Sequence, residues 1–148
     1  MPSTLSTTLA LVLALHSAPV ASQESKRPSR AEIDKILNNA VEQFNAKMIG
    51  TKVDEITVIR MMTYDEAIPT LGYLYATRYF DTTGQRKVTS EYVASIREFN
   101  VARTCTSPFA PLMRAYGLQV VHSFSDATTG AKLVELKITR EDCRRSGY

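Results

Sequence analysis

The apolar positions after Ser29 fall first at helical spacing. Ile33, Ile36, Leu37, Ala40, Val41, Phe44 and Met48 form one stripe along such a helix. Ser29-Arg30-Ala31-Glu32 just ahead of them reads as a capping box, and Gly50 stands where a left-handed residue would close the helix. The period then changes. Val53 to Met62 is rich in β-branched and apolar residues and predicts a strand that Asp65 to Pro69 breaks. Leu71 to Phe80 predicts a second, with Tyr73, Tyr75, Thr77 and Tyr79 on one face and Leu74, Ala76, Arg78 and Phe80 on the other. Asp81 to Gly84 supplies turn chemistry. A helix capped by Thr89 or Ser90 follows, with Tyr92, Ile96 and Phe99 on one side. A short helical piece opens at Ser107-Pro108 and ends at Gly117. Val120, His122 and Phe124 alternate in a third strand, Asp126 to Gly130 forms a hairpin turn, and Val134, Leu136 and Ile138 alternate in a fourth.

This order predicts an α+β single domain, αββαββ, with a four-stranded, mostly antiparallel sheet and its helices packed on one face. The domain should span 29–143, after a flexible lead at 23–28 and before a frayed basic tail at 144–148. The two αββ halves show no residue-level repeat.

The start of the chain has another character. Its first 22 residues hold no Lys, Arg, Asp or Glu, and Leu9 to Leu15 is an unbroken apolar run. That run is about a third of the roughly 20 residues a membrane-spanning helix needs. It fits the core of a secretory signal peptide, with Val20-Ala21-Ser22 providing small residues at a cleavage site after Ser22, or after Ala21 as the alternative. Residues 1–22 are therefore expected to be removed on export to the periplasm or the medium, leaving no integral membrane segment. The chain's two cysteines, Cys105 and Cys143, both follow that segment, and an even count in an exported protein predicts a disulfide between them.

Composition adds little. The chain of 148 residues is 44% hydrophobic and 22% charged, with a formal net charge of +3 and no block of like charge. Scattered cations of this kind argue against nucleic-acid binding, which concentrates Lys and Arg on one face. His122 is the one imidazole after Ser22, and one His with two cysteines makes a poor metal set, so no metal and no cofactor are expected. On the alternating pattern His122 shares a strand face with Val120 and Phe124, the place of a structural histidine. The acidic pairs Asp54-Glu55, Asp65-Glu66 and Glu141-Asp142 stand at strand ends or in loops, where acids serve solubility. Tyr73, Tyr75 and Tyr79 are the most suggestive feature. Tyr offers broad apolar area with a polar tip, so an uncovered sheet face would make these rings a binding platform. Under a helix they would be core, with hydroxyls at the rim.

A Tyr-rich strand from Leu71 to Tyr75, a Cys, Gly117, an apolar strand, Asp126 to Gly130, a last strand and a closing Asp142-Cys143 follow one another here. That order is similar to small exported bacterial proteins of unknown function. The resemblance covers roughly 50–143, implies a bacterial envelope setting, and carries no active-site residues. The expected function is a non-enzymatic exported protein that binds a protein partner in the envelope, as an accessory or an inhibitor. The alternative is a small periplasmic or secreted hydrolase that uses His122, a nearby Ser or Thr, and a carboxylate. A structural subunit of a homo-oligomer is a third reading, dependent on a self-complementary tyrosine face.

Overall fold

The computed structural model describes residues 27–78 and 88–148. The segment 1–22, most of the lead at 23–28, Tyr79, Phe80 and the turn at 81–84 lie outside the described residues, wholly or in part. Helix α1 (Arg30–Met48) is followed by β1 (Thr57–Asp65), β2 (Thr70–Thr77), α2 (Ser90–Cys105), α3 (Ala110–Tyr116), β3 (Gln119–Asp126), β4 (Lys132–Ile138) and α4 (Arg140–Arg145). The sheet order is β1-β2-β3-β4. The short connections make β1–β2 and β3–β4 antiparallel, whereas the crossover through α2 and α3 returns the chain parallel, so β2–β3 is the one parallel pair. The protein is thus α+β, with a mixed sheet.

Helix α1 begins as its capping box dictates, with Ser29 and Glu32 bonding each other's backbone. Ile33 and Leu37 are buried while Ile36 is exposed, because α1 lies along the β1 border and covers the sheet with a narrow stripe. Strand β1 starts four residues later than the pattern of apolar residues suggests. The Asp54 carboxylate accepts from the N–H groups of Ile56 (2.8 Å) and Thr57 (2.7 Å), which bends 53–56 into a turn. In α2 the buried positions are Asn100, Val101, Thr104 and Cys105, and Phe99 faces solvent. Ser107 does not open α3 as expected: its hydroxyl accepts from Phe109 N–H and donates to the Thr104 carbonyl, and the helix starts at Ala110. Gly117 ends α3 at φ 69°.

The helices share one face of the sheet. Beneath them Met62, Leu71, Val120 and Ile138 meet Ile33, Leu37, Val101 and Met113, and Ile59, Tyr75, Phe124, Val134 and Leu136 continue the core. The opposite face carries Met61, Leu74, Val121 and Ser123, and no helix among the described residues packs there. On that face Gly72 lies under the Thr63 side chain, whose hydroxyl is 2.5 Å from where a Cβ would stand.

Strand β1 forms one border of the sheet, and its outward backbone groups at Ile59 and Met62 are engaged. Ile59 bonds Gly50 and Thr51 (2.8 and 2.9 Å), and the Asn45 amide from α1 takes both Met62 N–H and C=O (2.7 and 2.8 Å).

The segment expected as a frayed tail is helical at its start. Arg144 and Arg145 belong to α4, a six-residue element too short to show a period. The Asp142 carboxylate accepts from the backbone N–H and hydroxyl of Thr139, then binds Arg97 (2.7 Å) and Arg145 (3.0 Å). Cys105 and Cys143 form a disulfide with Cα atoms 5.4 Å apart, tying the end of α2 to α4.

Candidate functional site

The parallel register between β2 and β3 sets Tyr73 beside His122 and Tyr75 beside Phe124. Alternation turns all four rings toward the helices, where they stack. Ring centroids are 5.2 Å apart for Tyr73–His122, 5.9 Å for Tyr75–His122 and 4.8 Å for Tyr75–Phe124, with planes within 18° of parallel. Phe44 of α1 meets Tyr73 edge-on at 5.5 Å. Both ring nitrogens of His122 are occupied: Nδ1 lies 3.1 Å from the Tyr75 hydroxyl and Nε2 lies 3.0 Å from Thr104 Oγ1 on α2. A neutral imidazole has one donor and one acceptor nitrogen, and two hydroxyls satisfy either tautomer.

His122 is 3% exposed and Tyr75 4%. Burial lowers the His122 pKa to about 4, with the nearby Arg103 guanidinium adding repulsion. Burial raises both tyrosines, and Arg103 works against that shift. Arg103 and Thr104, adjacent on α2, thus add a charge and a hydrogen bond to the buried cluster. With Ser107 and Phe109 they close the rings around a cavity of about 70 Å³, room for about two waters at roughly 30 Å³ each. Nothing in the sequence pattern marks Arg103 or Thr104, because the rotation of α2 over the sheet decides which side chains reach the rings.

Tyr75 is buried and Tyr73 half-buried beneath the helical layer. They face the covered side of the sheet, and Tyr79 lies outside the described residues. The acidic pairs are placed as well. Asp54 and Asp65 hold backbone turns, Glu66 accepts from Asn38, Glu141 pairs with Arg144 and Asp142 caps α4. None of these carboxylates is among the hydrogen-bond partners of His122. Among the described residues no cluster of His, Cys, Asp and Glu suits a metal ion, and no helix is long and apolar enough to cross a membrane.

No protein-family model matches the chain, and no curated protein matches it. Solved structures do. A candidate secreted protein from Pseudomonas aeruginosa is similar with a TM-score of 0.61 at 16% identity, over 78% of this chain and 96% of the other. The pilotin EpsS of the Vibrio vulnificus type 2 secretion system is similar with a TM-score of 0.57 at 10% identity, over 77% of this chain and 94% of the other. The likeness is one of fold.

Proposed function

We propose that this chain is an exported accessory protein of the bacterial envelope that acts by holding another protein. The observation that carries this reading is the fold shared with a type 2 secretion pilotin over nearly that protein's whole length. The likeness to a candidate secreted protein supports the same setting. So do the apolar Leu9–Leu15 run with its cleavage pattern and a disulfide, a bond that persists in oxidising compartments.

A Thr hydroxyl 3.0 Å from a His nitrogen would suit a nucleophile and its base. The setting weighs against that use. Thr104 and His122 are both buried, the second nitrogen meets a Tyr hydroxyl instead of a carboxylate, and an imidazole with a pKa of about 4 is a weak base at neutral pH. We therefore assign the cluster a packing role.

The reading is tested by crosslinking the tagged protein in its native envelope, then capture and mass spectrometry. A protein partner recovered by both wild type and His122→Asn supports it. Recovery of the protein from the cytosol with Met1 intact and both thiols free would overturn it, as would hydrolytic turnover that His122→Asn abolishes.

A further inference from the structure

Helices α3 and α4, with Tyr148, frame a second hollow, about 350 Å³, on the side of the molecule bearing the disulfide. Its size is at the lower end for ligand-binding pockets, roughly 300–1,000 Å³. The floor is apolar: Met113, Ala110 and Cys143 are each buried, with 1, 5 and 7% exposure. The rim is charged. Arg114 projects from α3, Arg140 and Arg144 from α4, and Tyr148 forms one wall. The backbone of Tyr148 is held by its N–H, which bonds the Cys143 carbonyl at 3.0 Å.

The charges do not balance. Glu141 is engaged by Arg144, and the Asp142 carboxylate is turned inward to Thr139, Arg97 and Arg145. No carboxylate among the described residues pairs with Arg114 or Arg140. The pocket therefore joins an apolar floor to two guanidinium groups without an ion pair. Such groups match carboxylates in planar, two-pronged fashion. Its frame is also rigid, since the disulfide and the Asp142 cap hold α4 in place before anything binds, which lowers the ordering cost of binding.

Resting on the protein-holding role, we propose that this pocket receives an acidic segment of the partner protein, with one large apolar side chain on the floor and flanking carboxylates on Arg114 and Arg140. Two free cations suit a short acidic segment better than the polyanionic surface of a membrane or a nucleic acid. Lipid headgroups are gathered by runs of about four to eight cations, and here two are free with an acid between them. Arg and Tyr are also the residues that most often dominate protein contacts.

The test titrates the ¹⁵N-labelled, oxidised protein with the peptide acetyl-Asp-Leu-Phe-Asp-amide, followed by NMR. The expected result is a set of shifts confined to the amides of α3, α4 and Tyr148, including Met113, Arg114 and Cys143. Affinity should fall at least about tenfold in Arg114→Gln/Arg140→Gln, and similarly with the Asn-for-Asp peptide. Lys47→Gln/Lys137→Gln removes equal charge elsewhere and should leave binding unchanged. Absence of shifts at millimolar peptide, equal binding by the arginine variant, or binding to anionic phosphatidylglycerol vesicles without peptide binding would each overturn the assignment. Envelope capture separates the two claims. A partner held equally by wild type and Arg114→Gln/Arg140→Gln removes this pocket and keeps the protein-holding role. Arginine-dependent peptide binding with no envelope partner for either form keeps the pocket and removes the role.

Discussion

Protonating His122 would set a cation beside two tyrosine rings and close to Arg103, in a site largely shielded from bulk solvent. The folded pKa, about 4, lies below the ordinary 6.5, so the unfolded chain binds the proton more readily. The contribution of the neutral imidazole is whole above about pH 6.5 and is lost as pH falls toward 4. The shift corresponds to about 3 kcal/mol. Urea denaturation from pH 7 to 4 should show a loss of that order in the wild type. His122→Asn should lower stability at pH 7 by about 2 kcal/mol through two stranded hydroxyls, and flatten the slope between pH 6.5 and 4. An equally steep slope in the variant would assign the effect to other groups. The sheet-facing direction of His122 was legible from its alternation with Val120 and Phe124. Its partners were not, since Tyr75 is 47 positions away and Thr104 is 18, and no local pattern encodes such meetings.

Among the elements, α4 depends most on a single side chain. Burial works against the charge on Asp142, but hydrogen bonds from Thr139 and the nearby Arg97 and Arg145 outweigh it and hold the pKa below the usual carboxylate value. Asp142→Ala removes the cap and leaves Arg97 without this partner, which should cost about 1–3 kcal/mol. A thermal melt at pH 7 measures it, and that difference should shrink as the pH drops below about 3.8 and the wild-type carboxylate takes up its proton. Where the chain states a cap and a long period together, as in α1, the element can be read directly. The Thr139-to-Asp142 spacing stated a cap with only six residues behind it, too few for a stripe to declare a helix. Strand β1 was misplaced at its start for the opposite reason, because Ile56 fits a strand pattern while Asp54 diverts the backbone. In α2, Ile96 packs on the core as its spacing suggests, but Phe99 is apolar yet exposed, so apolar spacing alone placed the buried face only partly right.

For the molecule as a whole, the disulfide joins two elements 38 residues apart in sequence. Closing a loop of that length should stabilise the fold by about 4 kcal/mol through the entropy of the unfolded chain. Cys105→Ser/Cys143→Ser should lose most of that in urea denaturation, and intact mass under reductant should rise by about two hydrogens per molecule in the wild type alone. A variant as stable as the wild type would show that packing of α2 on α4 suffices. The α+β order and the single layer of helices follow from the alternation of periods. The parallel pairing at the centre does not, since it reflects how the crossover settles across the sheet. The β1 border has a further consequence for molecules in concentrated solution. Chains recruit one another into fibres through strands with vacant backbone donors and acceptors. An incoming strand at this border would first have to evict Asn45 from Met62 and residues 50–51 from Ile59. Strand-by-strand accretion is steered to the far border, where Lys132, Glu135 and Lys137 discourage it with charge.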